Sequence, residues 1–291
     1  GESEGLSGYH FASRGLPFCG RKTEMAKLRN FLDCEGAVQW WAVTGQAGAG
    51  KSRLALEFAR ESAPSCFAFF LAQDAPEECA AKFLPFHDTL VIVDYVQGNE
   101  ATVARTMSAL AQVFRPTAYK LRILLLERDS TALSGSWYQR LEEHFPSARR
   151  EEFQRWEYNR SIATGKHGFL CLDDLEDGAV EELIEAVCRK RGLPPDRHRA
   201  KKLKGAYAEK LEQLRFRPLF IQIYVEAWIE NGCEQVDYTG YEDLLERVLK
   251  REQNRWLEAL GGRKDCCAAL IRLLVRACAG GELDPADLPE R

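Results

Sequence analysis

The chain has 291 residues, with 40 Lys and Arg against 44 Asp and Glu, leaving a formal net charge of −4. Its 45% hydrophobic and 29% charged residues supply enough apolar material for a sizeable core, which excludes a disordered tail, a collagen-like fibre and a disulfide-stapled mini-protein. The length suits two domains of roughly 150 residues each, and the mild acidity argues against a nucleic-acid partner bound through bulk charge.

Residues 1–16 are glycine- and serine-rich and predict a flexible lead-in. Met25, Leu28, Phe31 and Leu32 recur at helical spacing, predicting a helix over 21–32. The β-rich run Val38–Thr44 follows and ends in a glycine-rich turn, with Trp40 and Trp41 expected to pack one toward each face. A helix over 51–61 comes next, its apolar positions supplied by Leu54, Leu56, Phe58 and Ala59. Strands are predicted at 66–72, Thr89–Asp94 and Leu121–Glu127, each so continuously apolar that it reads as a central strand buried on both faces. Between the last two lies a helix over 101–114, stopped by Pro116, and a further strand is expected at 169–172. Strands alternating with helices argue for a parallel α/β sheet.

After Asp173 the texture changes: 177–191, 197–214, 217–231, 241–259 and 264–279 all predict helices. The division near 173 therefore separates an α/β unit from an all-helical one. In the helical half Trp228 and Trp256 read as core. The basic stretch Arg189, Lys190, Arg191, Arg197, Arg199, Lys201, Lys202 and Lys204 reads as a solvated face balanced by Glu181, Glu182 and Glu185 rather than a phosphate-backbone track. The ten cysteines form no C-x-x-C pair, and several lie in apolar runs such as Phe169-Leu170-Cys171-Leu172, where a thiol acts as a small hydrophobe; Cys266 and Cys267 read as helix filler. The histidines show no metal-ligand spacing. A reduced, cytoplasmic chain is expected, with no secretory leader and no apolar run long enough to span a membrane.

The strongest signal is Gly45-Gln46-Ala47-Gly48-Ala49-Gly50-Lys51-Ser52, which fits G-x-x-x-x-G-K-[ST] between a predicted strand and a predicted helix. Glycines let successive N–H groups turn inward around phosphate oxygens, and the helix that follows adds the positive end of its dipole. Lys51 is placed for the β- and γ-phosphates and the Ser52 hydroxyl for Mg²⁺. Asp94 ends a buried strand and would support the metal. The next residue, where many ATP-hydrolysing relatives carry a water-orienting carboxylate, is Tyr95, so turnover is expected to be slow or absent unless Glu100 swings in. Arg128, just past the strand Leu121–Glu127, could contact a γ-phosphate or pair with Asp129. Arg53 belongs to the phosphate segment but should face outward on its helix. No N-K-x-D guanine-reading triplet is found, so ATP is favoured.

The order of these marks resembles one family. Phe18-Cys19-Gly20-Arg21-x-x-Glu24-Met25-x-x-Leu28 is similar to the F-x-G-R-x-x-E segment of STAND NTPases, the signal-transducing branch of AAA+ relatives that includes NB-ARC and NACHT proteins. GQAGAGKS, VIVDY and LLLERD with Gly135-Ser136-Trp137-Tyr138 then follow in the family's order, and Arg217-Pro218-Leu219-Phe220 is similar to its G-x-P segment. The resemblance covers most of 17–260 and implies a P-loop α/β unit at 17–173, a helical lid at 174–262, and at 263–291 a tail or the start of a winged-helix module. It implies ATP or ADP with Mg²⁺ between the two units, Gly20 and Arg21 near the adenine or ribose, and Pro218 closing over the base. Exchange of ADP for ATP would rotate the lid and permit self-association in signalling, defence against phage or innate immunity. The trigger would be sensed outside this chain, which looks like the switch core of something larger. Two alternatives remain: a P-loop phosphotransferase on a small molecule, and an AAA+ remodelling or DNA-handling ATPase, which the missing catalytic carboxylate disfavours.

Overall fold

Hydrophobic runs with polar residues only at their ends become a parallel sheet here, because helices can then cover both faces. In the computed structural model five parallel strands run β1 Val38–Thr44, β2 Phe67–Phe70, β3 Thr89–Asp94, β4 Leu121–Glu127 and β5 Leu170–Cys171, in spatial order 2-3-4-1-5. The register sets Trp40 beside Ile123 and Asp94 beside Leu126, so the carboxyl ends of β1, β3 and β4 reach one edge together. The structure describes residues 11–13, 15–72, 77–128, 136–161, 166–211 and 215–234, and positions 246, 253, 257, 263 and 264.

Helices α1 (Lys22–Asp33) and α2 (Lys51–Ser62) cover one face, packing Leu28, Phe31, Leu54 and Phe58 against Trp41, Leu90, Ile92 and Leu124. The opposite face carries α3 (Glu77–Ala81), α4 (Glu100–Phe114), α5 (Trp137–His144) and α6 (Arg150–Arg155), where Met107, Leu110, Trp137 and Phe153 meet Trp40, Val91, Ile123 and Leu125. The two adjacent tryptophans thus serve opposite layers, as expected of strand alternation. Each buried indole N–H finds a carbonyl, Trp40 at Phe153 (2.8 Å) and Trp41 at Gly168 (2.7 Å). Burying either ring therefore strands no polar atom.

A third core joins α7 (Asp177–Lys190), α8 (Arg197–Lys210) and α9 (Pro218–Glu230), with Val180, Ile184, Val187, Tyr207, Ile221 and Val225 at its centre. Lys204 reaches Glu181 (2.7 Å) and Arg191 reaches Glu226 (3.1 Å), so part of the basic stretch is charge-balanced within the helices.

Several expectations are corrected. The 66–72 run is no central strand: β2 holds the edge of the sheet with Phe67 40% exposed. Its apolar character is met by neighbouring rings instead, Phe69 at 5.5 Å and Phe86 at 5.1 Å. Residues 11–13 are not a free lead-in but a turn of 3-10 helix whose Phe11 ring lies 5.5 Å from Phe70. Cys171 is exposed rather than packed, because β5 is the other edge; its sulfur sits 3.2 Å from the Thr44 hydroxyl. Helices α3, α5 and α6 were not anticipated from the sequence, although Trp137, Tyr138 and Leu141 of α5 do recur at helical spacing. Every described cysteine is a free thiol, and no described helix is long and apolar enough to cross a membrane. The helices expected at 241–259 and 264–279, the module at 263–291, Trp256 and Cys266-Cys267 lie almost wholly outside the described residues.

Candidate nucleotide site

The loop between β1 and α2 turns where only glycine is unstrained. Gly48 has φ 80 and Gly50 φ 92, and a Cβ at Gly48 would come within 3.1 Å of the Phe220 ring and 3.2 Å of Leu219. The loop is closed by Ala49 N–H donating to Gln46 O (3.1 Å), and Gly45 N–H is held by Glu127 O at the end of β4 (3.2 Å). Helix α2 then starts at Lys51 with its dipole directed back at the loop. The Lys51 ammonium is buried and donates to Gly45 O (2.6 Å) and Gln46 O (3.4 Å). Burial pulls its pKa down, the nearby Asp94 carboxylate partly opposing this. Among the described residues its hydrogen-bond partners are these two carbonyl oxygens, and no carboxylate is bonded to it.

A cavity of about 360 Å³ opens beside this loop. Ala47, Gly48, Ala49, Gly50, Lys51 and Ser52 line it together with Asp94 and Tyr95. The rest of the lining is largely apolar: Leu16, Pro17 and Phe18 from the segment before α1, Leu175 and Leu183, and Pro218 and Leu219, which lie directly against the loop glycines. Gly45 and Gln46 do not line the cavity; they shape the loop and hold Lys51. Arg21 does line it, but its guanidinium is already committed to Glu24 (2.7 Å), Ala49 O (3.3 Å) and Asp173 O (2.6 Å), tying the loop to the start of the helical half. Gly20 lies behind the wall, where a Cβ would meet Ala179 Cβ at 2.7 Å.

Arg53 is turned otherwise than expected. It lines the cavity rather than facing outward, and its guanidinium donates to Phe11 O (3.3 Å) and Leu16 O (3.0 Å) while pairing with Glu57 (3.0 Å). Thus it fastens the N-terminal segment over α2. Glu100 does not swing toward the loop: one oxygen accepts from Gly98 N–H (3.0 Å) and the other pairs with Arg140 (2.7 Å). Burial would raise its pKa, but these bonds outweigh that and hold the carboxyl below its usual range.

Sequence reasoning missed the role of Tyr95. It takes a left-handed backbone (φ 69) directly after Asp94, and its hydroxyl accepts from Arg128 Nε (2.9 Å) and Nη2 (2.6 Å). Arg128 is therefore held at the rim, exposed and outside the cavity lining. Its partner among the described residues is this tyrosine, while Asp129 lies outside them. Glu127 was also missed. It is buried, its Oε1 accepts from Val96 (2.7 Å) and Gln97 (2.6 Å), and its Oε2 accepts from Arg128 N–H (3.0 Å). That carboxylate sutures the loop after β3 to the end of β4; the signal was an acidic residue closing an otherwise apolar strand.

The lid reaches the loop directly. Arg217 donates to Ala47 O (2.9 Å), Leu219 N–H to Gly48 O (3.3 Å), and Pro218 opens α9 at the cavity wall. For a metal, no cluster of three His, Cys, Asp or Glu exists among the described residues. Ser52 and Asp94 suit Mg²⁺, which is usually held by one or two carboxylates together with substrate phosphates.

The profile of the AAA ATPase domain matches residues 17–199. No curated protein matches in sequence. Among solved structures, a Walker-type ATPase of Pyrococcus abyssi is similar with a TM-score of 0.42 at 12% identity, over 93% of this chain and 87% of that one. Domain III of the Thermotoga maritima replication initiation protein DnaA gives 0.45 at 11% identity, over 80% and 93%. The Thermotoga maritima RuvB Holliday junction branch migration motor gives 0.41 at 13% identity, over 92% and 83%.

Proposed function

The chain belongs to the AAA ATPase domain family, and on that premise we propose that it is an ATP-binding switch of the STAND type. In this reading the nucleotide sets the position of the helical lid and, in the ATP state, permits self-association in signalling, defence included. Family membership implies nucleotide binding, generally with Mg²⁺. The α/β unit 17–173 and the lid 174–262 are taken as the two halves that close on it.

The observation that carries the switch reading is the pair of bonds from Arg217 and Leu219 to the carbonyls of Ala47 and Gly48. The Ala47 carbonyl shares its peptide unit with the Gly48 N–H, which would face phosphate, so filling the loop and moving the lid are coupled through one peptide. Lys51 supplies the phosphate's counter-charge. Ser52 and Asp94 would hold Mg²⁺, which when bound shields the β- and γ-phosphate charge. Arg128, released from Tyr95, would sense the γ-phosphate. With Tyr95 in the position after Asp94 and Glu100 committed elsewhere, no carboxylate among the described residues beside Asp94 is placed to orient water, which suits long nucleotide retention better than rapid turnover.

The test is to incubate the protein with radiolabelled ATP and measure retained nucleotide, turnover and oligomeric size beside Lys51→Ala. A switch holds nucleotide stoichiometrically, turns it over slowly and changes assembly with ATP. Rapid turnover by a persistent monomer, or label passed to a small acceptor, overturns this reading in favour of a motor or a phosphotransferase.

A further inference from the structure

We propose that Gln222 selects the base of the bound nucleotide, accepting the 6-amino group of adenine through its Oε1; this rests on the nucleotide reading above. In the cavity lining Leu16, Pro17, Leu175 and Leu183 supply apolar surface that suits any purine face, but no side-chain hydrogen bond. Gln222, on the first turns of α9, is 8% exposed and lines the same wall. Buried carboxamides are ordinarily satisfied on both sides. Here the only hydrogen bond of the side chain among the described residues is from Nε2 to Glu226 Oε1, at 3.3 Å.

That bond decides what the cavity sees. A free carboxamide flips and can read either a 6-amino or a 6-oxo purine. Glu226 is buried and paired with Arg191 at 3.1 Å, so it is a fixed acceptor one helical turn away. It draws the amide nitrogen along the helix and leaves the oxygen as the group without a partner. An acceptor in that place matches the N6–H of adenine and opposes the O6 of guanine or hypoxanthine. A site built to meet a polar group also discriminates strongly, because the wrong ligand leaves buried atoms unpaired. Gln222 is thus a specificity residue, with Glu226 as its positioning residue.

The experiment compares ATP, ITP and inorganic tripolyphosphate on the full chain and on Gln222→Leu and Gln222→Met, by competition against a fluorescent adenine nucleotide, with thermal melts as the folding control. The wild type is expected to prefer ATP over ITP by roughly tenfold or more. Either variant should bring the two within about threefold while leaving tripolyphosphate competition unchanged. Equal wild-type affinity for ATP and ITP overturns the inference while the nucleotide reading stands, and so does a preference that survives in the variants. If the wild type binds none of the three, the nucleotide reading itself fails. Should neither variant fold, the wild-type ratio alone decides, equality again overturning the proposal.

Discussion

The two parts of the cavity lining, here its phosphate end and its apolar end, meet at Gly48 and are built by different means. Its phosphate end is backbone: one eight-residue loop with glycines at positive φ, one buried ammonium and the first turn of α2. The apolar end is side chains drawn from 16–18, 175, 183 and 218–222, which meet only because the helical half folds back over the sheet edge. A backbone site recognises charge and any triphosphate satisfies it. A side-chain site recognises shape and edge, and can be lost or retuned one residue at a time. The contrast predicts that damage to the loop weakens every phosphate ligand alike, whereas damage to the lid alters which ligand binds and what the binding does.

The largest expected effect strikes the phosphate end alone. Lys51→Ala removes the buried cation, and charge-assisted bonds of this kind are worth about 1.5–3 kcal/mol. Affinity for ATP, ITP and tripolyphosphate should fall together by about one to two orders of magnitude, as read by isothermal titration calorimetry. A loss confined to ATP would mean that the backbone end does not carry the affinity assigned to it. Folding should be preserved or slightly improved, since the desolvation cost of a buried charge has gone.

Gly48→Val strikes where the two ends touch. A side chain there adds strain of about 1–2 kcal/mol for a left-handed L-residue and meets Leu219 and Phe220 at 3.1–3.2 Å. The lid must lift, so limited proteolysis near 173–176 should accelerate and nucleotide affinity fall by about tenfold. Unchanged proteolysis would show that α9 is not seated on the loop in solution.

This division also explains what was legible in the sequence. The phosphate end is contiguous, so a spacing pattern finds all of it, and Asp94 is marked by the strand it ends. Elements whose apolar period is unbroken (β1, β3, β4, α2, α7, α9) were legible for the same local reason. The β2 edge was misread because four apolar residues in a row look alike whether covered by helices or by each other's rings. Arg53 and Glu100 were misplaced because their partners, the carbonyls at 11 and 16 and Arg140, are remote in the chain. The apolar end had one local clue: Gln222 and Glu226 stand four apart as polar residues within a helix whose other charged residue, Glu230, closes it, a spacing that puts them on one face.

A smaller effect is expected from Arg217→Ala, which removes the bond to Ala47 O but leaves the loop and the apolar wall intact. Net hydrogen-bond contributions near about 1 kcal/mol imply a change in ATP affinity of only a few-fold. The lid tie should nonetheless weaken. ATP-dependent assembly, measured by light scattering, should then drop more than ATP binding does. Equal losses in both would argue that Arg217 serves binding and not coupling.

The smallest effect is a control that the comparison requires. Glu100 lies close in sequence to Asp94, yet its carboxylate is spent on Gly98 N–H and Arg140. Its pKa is held below the usual range in the folded chain, so it contributes stability above the unfolded value of about 4.3, lost as pH falls through the lower folded value. Glu100→Gln should therefore lower the melting temperature near neutral pH, with the deficit shrinking to nothing in acid. The cost should stay under about 1 kcal/mol, because the Arg140 side of the pair faces solvent. ATP affinity and turnover should not move. A fall in turnover with binding intact would instead place Glu100 beside the reacting water and give the phosphate end a side-chain catalyst, erasing the contrast between a loop that holds nucleotide and a lid that responds to it.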